Sequence, residues 1–140
     1  MFTLTRESRL SPDELWARVA ALADHADTVP LTTTLADPGE PGVGWHFTVR
    51  TAVGRLHFDD PMVVEVWEAP RRWRIRKTGP LRGWAEAVVT PYAGGSRLTW
   101  TEELWFSGVP GLRRVTRPVA DVAGRVVFGR VVDRLVGGAP

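Results

Sequence analysis

The chain has 140 residues, 18 Lys+Arg against 16 Asp+Glu, no cysteine and seven tryptophans, and at 44% hydrophobic and 24% charged it reads as one globular domain, 1–140, not a disordered chain. The missing cysteine excludes disulfides, thiolate nucleophiles and cysteine-ligated metal centres, and the absence of a long apolar run excludes a transmembrane helix. The charge is uneven: six arginines and two aspartates fall in residues 109–140, so the rest of the chain is net acidic, and Lys77 is the single lysine among the 18 basic residues.

Met1–Leu10 alternates, with Phe2, Leu4 and Leu10 on one parity, and predicts a strand with one buried face rather than a signal peptide; a cytoplasmic protein is expected. Ser11-Pro12-Asp13-Glu14 is a helix start with its capping residues in place. Leu15, Val19 and Leu22 then predict an amphipathic helix over about 12–23. Residues 31–37 read as a β-branched strand and Pro38–Gly42 as a turn. From Trp45 the chain is a succession of strands. Gly54 marks a hairpin, Asp59-Asp60-Pro61 looks like a bulge or edge irregularity, and turns fall at Ala69-Pro70-Arg71, around Gly79–Gly83 and at Gly94-Gly95. The apolar period then changes to that of a helix over about 118–136, closed by Gly137-Gly138.

Strand, helix, about six antiparallel strands and one long helix make an α+β domain whose sheet needs an apolar cover, and only the last helix is long enough to supply it. Three stretches carry a family likeness: Leu10-Ser11-Pro12-Asp13-Glu14-Leu15-Trp16, Glu68-Ala69-Pro70-Arg71-Arg72-Trp73, and Pro91-Tyr92-Ala93-Gly94-Gly95-Ser96-Arg97-Leu98-Thr99-Trp100. In these the chain resembles the START/Bet v 1-like (SRPBCC) helix-grip superfamily, in particular its polyketide cyclase/dehydrase and lipid-transport-like branch. The resemblance implies a curved sheet of about seven strands around a long C-terminal helix, with a cavity between them. It does not imply one activity.

Strand parity assigns the cavity wall. With Gly94-Gly95 at the hairpin tip, Val89 faces Trp100, Ala87 faces Glu102 and Ala85 faces Leu104. The expected inner wall is Trp45, Phe47, Leu56, Phe58, Val64, Val66, Trp73, Ile75, Ala85, Ala87, Val89, Trp100 and Leu104 from the sheet, with Val119, Val122 and Val126 from the helix, and all of these but Leu56 are the expected ligand-binding residues. Trp67, Trp84 and Trp105 fall on outer or edge positions. Arg72, Arg74 and Arg76 point outward, near Glu65 and Glu86. Glu102 is the one carboxylate on the inward parity, and it is the candidate catalytic residue: a polar handle for a ligand, a proton-transfer group, or a residue at the cavity mouth paired with an arginine.

Other signals are weak. His46 and His57 fall on outward parities with no metal-ligand spacing, no serine sits in a nucleophile elbow, and the glycines mark hairpins rather than a phosphate loop, so no metal and no cofactor are expected. The stretch Arg71–Lys77 looks like a nucleic-acid patch until its tryptophan and isoleucine turn inward and nearby glutamates offset its charge; no nucleic-acid partner and no stable membrane insertion are expected. The function expected is binding or transport of a hydrophobic small molecule, such as a lipid or polyketide-like compound. The alternatives are a cyclase, aromatase or dehydratase using the same cavity, and a ligand-free interaction module such as a homodimer.

Overall fold

Period-two sequence becomes one antiparallel sheet. The computed structural model describes residues 1–106, 125–126 and 128–137. Its strands are β1 Phe2–Ser8, β2 Thr32–Ala36, β3 His46–Val53, β4 Leu56–Glu68, β5 Arg72–Thr78, β6 Leu81–Tyr92 and β7 Gly95–Phe106, hydrogen-bonded in the order β1-β7-β6-β5-β4-β3-β2. Neighbours from β2 to β7 are joined by hairpins, and the one long-range pairing sets β1 against β7. Between β1 and β2 come the helix α1, Pro12–Val19, and a 3-10 segment, Leu22–Thr28. Residues 125–126 and 128–136 are helical, and Phe128, Val132 and Leu135 pack on the core formed by the sheet and α1. This is the expected α+β helix-grip arrangement.

The first helix starts where its sequence says. The Ser11 hydroxyl accepts from the Glu14 amide (3.1 Å) and Pro12 opens the first turn. It stops earlier than 23, at Val19. Beyond it the backbone tightens into short-range bonds, Ala21 N–H to Arg18 O and Asp24 N–H to Ala21 O. Leu22 remains buried, and the tightened segment carries His25 in against the rings of Trp73 and Trp100.

Four expectations need correcting. First, the β6–β7 turn is Ala93-Gly94, both with positive φ, not Gly94-Gly95. The register moves by two residues, pairing Ala87 with Trp100 and Ala85 with Glu102. An even shift leaves every side chain on its face. It also sets Glu86 opposite Thr101, avoiding the like-charge Glu86–Glu103 pair of the other register. Gly95 is needed in the strand: a Cβ there would collide with the Ser8 carbonyl of β1.

Second, Asp59-Asp60-Pro61 does not interrupt β4, which pairs with β3 continuously through it. The irregularity lies between Val64 and Val66. That bulge moves Val66 opposite Arg74, off the inner face, and brings Trp67 opposite Trp73, where it packs edge-on against Trp16 (5.4 Å between rings). Third, Leu56 and Phe58 keep inward parity but sit near the β3–β4 hairpin tip, past the packed body, and Phe58 is 40% exposed. Fourth, Val126 is 56% exposed, and the helix residues that face the core are Val131, Val132 and Leu135 instead. Val119 and Val122 lie outside the described residues.

The outer arginines are partnered. Arg72 bonds Glu68 and Glu86 (3.1 and 3.0 Å), Arg76 bonds Glu65 (2.5 Å), and Arg74 lies over the Trp84 ring (4.2 Å), giving that outer tryptophan a local role.

Candidate functional site

The concave face of the sheet holds a cavity of about 220 Å³. Phe47, Val49, Met62, Trp73, Ile75 and Trp100 line it from the strands; Leu22 and Val29 close it from the first crossover, and Phe128 and Val131 from the last helix. Of the expected wall, Phe47, Trp73, Ile75 and Trp100 therefore reach the cavity. Trp45, Val64, Ala85, Ala87, Val89 and Leu104 are buried in the surrounding core instead.

Three charged side chains share the floor: Asp60 on β4, Lys77 on β5 and Glu102 on β7. Each follows from parity. Asp60 belongs to the inward series of Met62 and Val64, Lys77 to that of Trp73 and Ile75, and Glu102 to that of Trp100 and Leu104. The strand between Lys77 and Glu102 offers almost nothing to separate them. Lys77 neighbours Gly83, and Glu102 neighbours Ala85. Gly83 has φ +132 and lies so close to the Glu103 carbonyl that a Cβ has no room, so glycine is required there.

Lys77 is 3% exposed. Its ammonium donates to Asp60 Oδ2 (2.5 Å) and lies 3.6 Å from Met62 Sδ. Glu102 is 1% exposed, and Glu102 Oε2, Asp60 Oδ1 and Trp100 Nε1 are buried without a hydrogen-bond partner. Burial pushes the Glu102 carboxyl up to about 7; the Lys77 ammonium and the Trp100 N–H oppose the shift, and the Asp60 charge adds to it. Burial also raises Asp60, against its bond to Lys77. The His25 imidazole, which lines the same cavity, is held below its ordinary value by burial, so it is neutral at pH 7. Unpaired buried acceptors cost free energy, on the order of 1–3 kcal/mol each, unless something binds them. A carboxyl titrating near neutrality beside an ammonium can give or take a proton.

Parity already marked Asp60 and Lys77. Reading Asp59–Pro61 as an interruption hid the first, and the run of arginines around Lys77 hid the second. His25 carries no sequence signal, because its place depends on the 3-10 segment. His46 and His57 sit at opposite ends of the β3–β4 hairpin, each beside its own aspartate (Asp37 at 3.6 Å, Asp59 at 3.7 Å). Among the described residues, no helix is long and apolar enough to cross a membrane.

Comparison with known proteins agrees with the fold. Residues 1–138 match the family described as polyketide cyclase/dehydrase and lipid transport. No curated protein matches in sequence. Among solved structures, the ZhuI aromatase/cyclase of Streptomyces sp. R1128 superposes with a TM-score of 0.67 at 16% identity, covering 99% of this chain and 98% of that one. Norcoclaurine synthase of Thalictrum flavum, a point mutant bound to a transition-state analogue, gives 0.70 at 15% identity over 96% and 92%. The protein TTHA0849 of Thermus thermophilus gives 0.75 at 13% identity over 96% and 93%. At such identities the likeness is one of fold.

Proposed function

The chain belongs to the polyketide cyclase/dehydrase and lipid-transport family, and from that premise we propose that it binds a small, mainly apolar compound whose one polar end meets the Asp60–Lys77–Glu102 floor. The observation that carries this reading is the pairing of an aromatic and aliphatic wall with buried, unpartnered carboxylate oxygens. A dry apolar cavity of about 150 Å³ accepts a benzene-sized molecule. At about 220 Å³ this one suits a compound of one or two rings, or a short chain. Burial of its apolar area supplies affinity at about 25 cal/mol per Å² before ordering costs.

The test is native mass spectrometry of the purified protein with solvent extraction, together with tryptophan fluorescence on titration with benzene, naphthalene and 1-naphthol. Trp73 and Trp100 in the wall predict quenching by at least one probe. If nothing is extracted, no probe changes the emission, and a crystal structure shows the cavity filled by side chains, the reading fails.

The Glu102 carboxyl, held near 7, favours a second reading: acid–base catalysis of the cyclase or dehydratase kind named for the family. As carboxylate, Glu102 would take a proton from carbon next to a carbonyl, and the Lys77 ammonium would stabilise the enolate oxygen. The enolate carbon would then bond to a second carbonyl carbon of the same molecule, whose oxygen would recover the proton from Glu102. Glu102→Gln abolishes turnover of a cyclising substrate on this reading, and unchanged turnover removes Glu102 from it.

A further inference from the structure

We propose that the ligand of this cavity presents a protonated amine to the floor, seated between Asp60 Oδ1 and Glu102 Oε2. The proposal rests on the cavity being a binding site and adds the chemical class of the polar end.

It follows from counting charges and unmet acceptors. The floor holds two carboxyl groups and one ammonium, and that ammonium donates to Asp60 Oδ2 and lies beside Met62 Sδ. Two other donors around the cavity are spent within the protein. Trp73 Nε1 donates to the Val19 carbonyl (3.0 Å), and the Thr32 hydroxyl donates to the Val29 carbonyl (2.7 Å). Among the lining residues, the buried atoms without a partner include two carboxylate oxygens and the Trp100 N–H, which lies beside one of those carboxylates. Once Glu102 ionises, the site holds two carboxylates against one ammonium and is short of one positive charge. A carboxylate ligand would put a third anion against a single cation among buried groups. A hydroxyl brings one donor and no charge. A primary ammonium brings three donors and the missing charge, and the Trp73 and Trp100 rings around it favour a cation.

The groups facing Glu102 are Lys77 from β5, Asp60 from β4 and His25 from the first crossover. Its neighbours on β1 and β6, Phe2 and Ala85, and the helix residues lining the cavity, Phe128 and Val131, carry no charge. Above neutrality Glu102 is an anion, and two pH units lower it is protonated. Between pH 8 and pH 6 amine affinity should fall about tenfold, the loss of the ionised fraction of a group titrating near 7.

The experiment is isothermal titration calorimetry with three probes sharing one apolar body: 3-phenylpropylamine, 3-phenylpropan-1-ol and 3-phenylpropionate. At pH 8 the amine should bind at least tenfold tighter than the alcohol, and the carboxylate weakest. At pH 6 the amine should weaken about tenfold while the alcohol stays unchanged. Glu102→Gln should remove both the amine preference and its pH dependence, with circular dichroism and cooperative thermal unfolding showing that the variant is folded. If that variant does not fold, the wild-type pH series alone decides. An alcohol or carboxylate that equals the amine, or amine binding indifferent to pH, overturns the proposal. If benzene and naphthalene bind but none of the three phenylpropyl probes does, the amine is wrong and the cavity stands. If nothing binds at all, the underlying reading fails with it.

Discussion

Glu102 titrates far above the usual carboxylate range, and that leaves a mark on stability as well as on binding. Its folded value is about 7 against 4.5 for an ordinary glutamate, so between these the folded state holds a proton that the unfolded chain has released. Stability from this group is fully present below pH 4.5 and is lost as pH rises through 7, at about 1.4 kcal/mol per pH unit and about 3 kcal/mol in all. Glutamine never ionises, so Glu102→Gln should flatten this part of the curve and leave the variant about 3 kcal/mol more stable, relative to wild type, at pH 8 than at pH 4.5. Urea unfolding of both proteins across that range measures it, and identical slopes would mean that Glu102 keeps its ordinary value in the fold. At this scale much of the site was legible. Glu102 stood out as a carboxylate in an apolar series, and Lys77 and Asp60 sit at the same parity as their apolar neighbours. Their mutual approach was not legible, because it depends on Gly83 and Ala85 lying between the two outer strands of the floor, a property of the sheet register.

The β6–β7 hairpin shows how element-scale signals compete. Gly94-Gly95 is the stronger turn signal in the sequence, yet the turn falls on Ala93-Gly94, with Ala93 at φ 47. Left-handed backbone costs alanine about 1–2 kcal/mol, and such two-residue turns favour Asn-Gly. Ala93→Asn should therefore stabilise the protein, by about 0.5–1 kcal/mol in chemical denaturation. With Gly94-Gly95 at the tip it would replace a strand residue and destabilise slightly, so the sign of the change reports the register. What outweighs the local preference is the approach of β1: Gly95 must lie under the Ser8 carbonyl, a contact between chain segments far apart in sequence. The β4 bulge has a similar origin. No residue in Val64-Glu65-Val66-Trp67 announces it, but the shifted register seats Trp67 against Trp16 and Trp73 and leaves Glu65 outside to meet Arg76.

Across the whole molecule, the cavity lies where the sheet, the first crossover and the last helix meet, so filling it should couple to global unfolding. A probe at about 100 times its Kd stabilises the folded state by about 2.7 kcal/mol, or roughly 10 °C in Tm for a domain of this size. Differential scanning calorimetry with 3-phenylpropylamine at pH 8 should show that rise, and a shift below about 2 °C at saturation would place the probe outside the core. The sequence by itself determined the α+β class, the order of elements, the faces of most strands and the neutralised arginine row, because period, turn chemistry and charge are local properties. Only the tertiary structure decided which inward residues line space and which fill it, where the registers settle, and which helix row faces the sheet. Those outcomes rest on steric fits between distant segments: a carbonyl over a glycine, a tryptophan admitted by a bulge, a lysine and two carboxylates gathered from three strands. The one lysine in a chain rich in arginine is thereby the buried cation of the candidate site.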